Sequence, residues 1–270
     1  MSPSRLVPAL VIRTFTVLGT IGILPAYAGP PFLTDDPQPV DFGHNEFYVF
    51  SIMDESSGTT SISGPAVEYN RGILPNTQFH VILPLSESSS MGTTNVGLGD
   101  IEVGVKYRFV QETAQVPMIG IFPMVEVAAG DAARGLGNGH TWYHLPVWMQ
   151  KSWGPWTSYG GGGININHAP GMKNSGFAGW LVQRQFGQRW ILGAELWEQG
   201  ADAMDGRSYT VLNVGGYYNF TPNFQLLFTG GGSIAGEQHT VAYLGLYWTW
   251  GAKDSDSAAT AADLFRTALR

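Results

Sequence analysis

The segment Gly99-Asp100-Ile101-Glu102-Val103-Gly104-Val105-Lys106-Tyr107-Arg108-Phe109 alternates without interruption. Ile101, Val103, Val105, Tyr107 and Phe109 fall on one parity; Asp100, Glu102, Gly104, Lys106 and Arg108 fall on the other. Side chains of a strand alternate with period two, so the pattern predicts a strand with one apolar and one wet face. In a soluble sandwich the charges would face bulk water. In an outer-membrane barrel the apolar face meets lipid and the charges meet the lumen.

Similar patterns predict twelve strands, near 44–53, 63–70, 75–85, 97–110, 116–128, 141–152, 156–167, 176–186, 189–198, 208–220, 223–233 and 239–250. Phe79, Val81, Leu83 and Leu85 oppose Gln78, His80 and Ile82. Tyr143, Leu145, Val147 and Met149 oppose Trp142, His144, Trp148 and Gln150. Leu212, Val214, Tyr218 and Phe220 oppose Asn213 and Tyr217, and Leu244, Leu246, Trp248 and Trp250 oppose Tyr243 and Tyr247. The first, eighth and ninth strands are ambiguous; Arg184 shares parity with Trp180 and Val182.

The connections alternate in length. Short ones fall at 71–74, 111–115, 153–155, 187–188 and 221–222; longer ones at 54–62, 86–96, 129–140, 168–175, 199–207 and 234–238. Periplasmic turns opposite longer outer loops are the habit of a membrane barrel. Tyr107, Phe109, Trp153, Trp156, Phe186, Trp190, Phe220, Phe224, Trp248 and Trp250 gather near the short turns, where a girdle of amphipathic rings is expected. Gly104, Gly160 to Gly163, Gly215-Gly216 and Gly230 to Gly232 lie inside strands and suit a sheet that must curve.

Composition sharpens the choice. Of 270 residues only 13% are charged, against about 25% in soluble domains. A net charge of −7 argues against nucleic acid as a partner, and the absence of cysteine excludes disulfides and thiolate metal sites. Arg5 and Arg13, the apolar run Thr14 to Leu24 and Ala26-Tyr27-Ala28 read as a signal peptide, 1–28, cleaved after Ala28. A transmembrane helix is the alternative for that run, which is short and ends in Pro25. Residues 29–43, with four prolines and Asp35-Asp36, read as a Pro-rich periplasmic lead-in; whether it enters the lumen stays open. The barrel then occupies 44–250, and 251–270 is a polar, Ala-rich tail.

Three blocks carry a family resemblance. Gly29-Pro30-Pro31-Phe32-Leu33-Thr34-Asp35-Asp36-Pro37 with Gly43-His44-Asn45-Glu46-Phe47-Tyr48 resembles the start of mature proteins in the outer-membrane family named for the meta-pathway of phenol degradation. The alternating segment 99–109 is similar to that family as well, as is Leu145-Pro146-Val147-Trp148-Met149-Gln150-Lys151-Ser152-Trp153-Gly154-Pro155-Trp156-Thr157 with the glycines that follow. The resemblance covers most of 29–250. It implies an outer-membrane barrel concerned with small-molecule passage, aromatic or hydrophobic compounds among the solutes, and it brings no catalytic residues.

Lumen charge is the best candidate for function. Parity points Glu68, Asp100, Glu102, Lys106 and Arg108 inward, while Glu126, Lys151 and Glu195 are less clear. Such groups set selectivity in pores, or seal a narrow barrel as a packed ionic network. His140 and His144 would lie about 13 Å apart on a strand, too far for one metal ion. His144, Ser152 and Asn165 could contribute to a hydrolase, but no G-x-S-x-G motif is present. Glu195 and Glu198 fall on opposite strand faces. The expectation is an all-β antiparallel transmembrane barrel of about 12 strands in the cell outer membrane. It would act as a porin or transporter, with membrane lipid and small solutes as partners and no cofactor or metal. A sealed structural or adhesive barrel that binds through its outer loops is the alternative, and a hydrolase ranks last. Oligomeric state stays open.

Overall fold

The computed structural model describes residues 31–251. The expected signal peptide, 1–28, and all of the expected tail except Gly251 lie outside the described residues. Fourteen strand segments follow one another: β1 His44–Ser56, β2 Thr59–Leu74, β3 Thr77–Ser90, β4 Thr93–Leu98, β5 Ile101–Val110, β6 Met118–Ile121, β7 Met124–Val127, β8 Trp142–Trp153, β9 Trp156–Ile166, β10 Ser175–Phe186, β11 Trp190–Gln199, β12 Tyr209–Thr221, β13 Phe224–Gly236 and β14 His239–Gly251. Every pairing between these segments is antiparallel. The sheet closes where β1 pairs with β14, from His44 against Gly251 to Ser56 against His239. β4 and β5 both pair with β3, and β6 and β7 both pair with β5 and with β8. Each couple is one interrupted stave, so the fourteen segments make the twelve staves of a closed barrel.

Proline marks both interruptions. The Gly99 N–H donates to the Pro84 carbonyl at 3.0 Å, and Val105 N–H to the Pro123 carbonyl at 3.1 Å. Neither proline can return a ladder hydrogen bond, so pairing breaks beside it. The Asp100 carboxylate then fills the first gap. It accepts the backbone N–H groups of Ala129, Gly130 and Asn138 at 3.0, 2.9 and 2.6 Å and folds the loop that follows β7 against the wall.

The connections at 54–62, 86–96 and 234–238, expected as longer loops, are instead tight hairpins. Ser57-Gly58 and Met91-Gly92 have φ of 50° and 78°, and of 48° and 79°. Two consecutive positive φ values are the requirement of a type I′ hairpin turn. The flanking strand ends are rich in Ser and Thr, which removes the alternation that betrays a strand. The long connections that remain are those after β7, β9 and β11.

The two faces are inverted relative to a soluble protein. Outward side chains such as Trp180, Leu196, Val214 and Leu244 are exposed, Val214 and Leu244 by 59% each. Inward ones include Gln78, Lys106, Glu195 and Asn213, all buried. This is the arrangement of a transmembrane barrel and excludes the soluble sandwich. At the turn end the girdle is continuous in part: Phe220 stacks on Phe224 at 5.1 Å and Phe224 on Trp248 at 4.8 Å. The ambiguous Arg184 belongs to it, with its guanidinium 5.2 Å from the Trp156 ring and 4.9 Å from that of Phe186.

Arginine at outward Val214 should destabilise the barrel by about 2–4 kcal/mol, and at Met91, exposed at a hairpin tip, by about 0–1 kcal/mol. Urea unfolding of the barrel in lipid vesicles measures both. Equal effects would remove lipid from the Val214 face.

Candidate functional site: the barrel lumen

Residues 31–43, the described part of the expected lead-in, run inside the barrel. Prolines keep this segment extended and reduce the N–H groups that need partners. Barrel side chains meet others. Glu195 accepts the Leu33 N–H at 3.2 Å and the Thr34 N–H on its other oxygen, and Asn213 donates to it at 2.7 Å. Gln78 Oε1 accepts the Val40 N–H at 2.9 Å, and Thr229 Oγ1 donates to the Pro31 carbonyl at 2.7 Å. Thr34 lies so close to β10 that a Cβ on Gly179 would sit 2.0 Å from Thr34 Oγ1. A glycine is therefore required there for the segment to approach the wall.

Charge reinforces this docking. Lys106 Nζ lies 2.9 Å from Asp35 and 3.8 Å from Asp36, with the Phe122 ring 4.7 Å away. A second cluster surrounds His80. Its Nδ1 lies 2.6 Å from Asn70 Oδ1 and its Nε2 lies 2.7 Å from Glu102. Asn70 Nδ2 donates to Glu68 at 2.7 Å, which assigns the amide orientation. Both ring nitrogens of His80 then face acceptors, so the ring donates from both. Glu46 accepts the hydroxyls of Tyr48 and Tyr247 at 3.0 and 2.7 Å.

The lumen retains two cavities of several hundred Å³ among the described residues. One of about 350 Å³ lies between the segment and the wall, bounded by Leu33, Glu46, His80, Lys106 and Trp148 among others. Another of about 410 Å³ is lined by Ser61, Ser86, Asp100, Glu126 and Leu136. Ile82, Glu102 and Trp142 border both, so these three side chains form the partition.

The residues singled out from sequence divide accordingly. Glu68 and Glu102 meet at His80 in the lumen, while Lys106 and Glu195 each contact the segment from the wall. Asp100 holds loop backbone, as described, and Glu126 borders the second cavity. Arg108 lies at the turn end with Nη2 2.7 Å from Asn76 Oδ1, and Lys151 pairs there with Glu112 at 3.1 Å. Glu195 is buried and Glu198 exposed, on opposite faces. His140 is exposed in a loop, whereas His144 bonds Asn165 at 2.7 Å and stacks on Phe177 at 4.1 Å. Ser152 is eight residues along β8 from His144, roughly 26 Å, so the hydrolase arrangement does not form. No cluster of three or more metal-ligating His, Cys, Asp or Glu occurs among the described residues. Sequence reasoning passed over Glu46, Asn70, Gln78, Asn213 and the Asp35-Asp36 pair. The parity of Gln78 and His80 was a usable signal; the partners of Asp35 were not visible without the fold.

The architecture is similar to that of known outer-membrane barrels. An outer-membrane channel from Pseudomonas putida F1 aligns with a TM-score of 0.63 over 80% of this chain and 98% of that one, at 15% identity. The translocator domain of the autotransporter NalP from Neisseria meningitidis aligns at 0.49 over 77% and 89%, at 12% identity. The NanC porin aligns at 0.49 over 75% and 98%, at 10% identity. No family model and no curated protein matches the chain.

Lys106→Met leaves Asp35 and Asp36 beside no cation. Breaking a buried pair costs about 3 kcal/mol, which should raise amide exchange at Leu33 and Thr34 by roughly 100-fold as the segment opens. Unchanged exchange would show that the ion pair does not hold the segment.

Proposed function

We propose that this protein is an outer-membrane channel for small molecules, with residues 31–43 as an internal constriction. The observation that carries the reading is the pair of cavities stacked along the lumen and divided by Ile82, Glu102 and Trp142. A packed interior would leave no such chain of spaces. The inward charges Glu68, Asp100, Glu102, Lys106, Arg108 and Glu195 are then the selectivity elements. Export by a cleaved signal peptide and membership of the meta-pathway family belong to the same proposal, with aromatic or hydrophobic compounds among the solutes. Transport rather than catalysis is its activity.

The occupied lumen also favours the sealed barrel as a second reading, because residues 31–43 fill much of the space that a solute would cross. Single-channel recording in planar bilayers separates the two. The full chain should give small discrete steps, and a chain lacking 31–43 steps several-fold larger. Joint replacement of Lys106 and Arg108 by Met should shift the reversal potential toward cations. Silence from both the full and the shortened chain would overturn the channel reading in favour of the sealed one.

A further inference from the structure

We infer that the cavity between the N-terminal segment and the wall is a recognition site for an organic cation, a protonated amine on a compact apolar body. The inference deepens the channel reading and rests on it for the route by which a solute arrives. The volume, about 350 Å³, is in the range of small-molecule sites.

The charged lining comprises Asp35, Asp41, Glu46, Glu68 and Glu102 against a single lysine, Lys106. The cations present are already engaged: Lys106 with Asp35 and Asp36, and His80 with Glu68 and Glu102. His44 and His144, which also border the space, pair with no carboxylate among the described residues. Glu46 has no ion-pair partner among the described residues, and its hydrogen bonds come from two tyrosine hydroxyls. An incoming anion therefore meets surplus carboxylate between low-dielectric walls, whereas a cation compensates it. The remaining wall is aromatic, including Phe122, Trp142, Trp148 and Trp197. Trp197 is held in a parallel stack, 5.4 Å from Phe177, which lies 4.1 Å from His144. Ring faces and carboxylates that line one cavity attract an ammonium group and its hydrocarbon body together.

Calorimetric titration of the folded full-length chain in detergent tests this with three probes of one size: 2-phenylethylammonium, 2-phenylethanol and phenylacetate. The amine should bind saturably and at least tenfold more tightly than either comparator. Glu46→Gln, which removes the charge but can still accept from one tyrosine hydroxyl and donate to the other, should lose most of that preference while retaining heat-modifiable migration on a gel. Equal binding of the three probes, tighter binding of phenylacetate, no binding of the amine, or an unaltered preference in Glu46→Gln would overturn the site. Bilayer recording on the same preparation keeps the two readings apart. A chain that conducts but does not discriminate loses only the cation site. A chain that selects the amine but never conducts loses only the channel.

Discussion

Closure of the sheet is the constraint on which everything else depends. Hydrocarbon offers no partner for a backbone N–H or carbonyl, so a spanning sheet cannot have an edge. The seam between β1 and β14 meets this along the full length of both strands. Once the wall is continuous, each side chain has two destinations only, lipid or lumen. Polar groups on the staves have to go inward, and a chain that is 13% charged can still hold a dense ionic interior.

The two barrel charges that hold the segment are satisfied by protein groups. Glu195 is buried with no cation in ion-pair reach among the described residues, and three N–H donors surround it instead. Lys106, by contrast, is held by the carboxylates of a different part of the chain. The first contact reads backbone and the second reads side chains. Together with the close approach at Gly179 they fix both the position and the register of residues 31–43.

Much of the wall was legible because lipid and lumen impose opposite demands on neighbouring residues. Ile101 to Phe109 shows the rule plainly, and all twelve predicted strands correspond to staves. Legibility failed where one of those demands is missing. The hairpin ends around Ser57 and Met91 carry Ser and Thr on both faces, so strand looked like loop. The interruptions at Gly99-Asp100 and Phe122-Pro123 leave the parity of their flanks intact, so two broken staves looked whole. Asp35 and Asp36 gave no hint of their surroundings, because their partner Lys106 is 70 or more residues distant. Which inward charges would meet was likewise a matter of register between strands, which alternation within one strand does not encode.

The segment in the lumen is covalently continuous with the seam: Gly43, at its end, is followed directly by β1 at His44. Its arrival in the lumen is thus never a bimolecular event. An occupant on so short a leash has an effective concentration in the millimolar range, whatever the protein concentration outside. A solute that must displace the segment competes with this permanent local rival, while one that settles beside it does not.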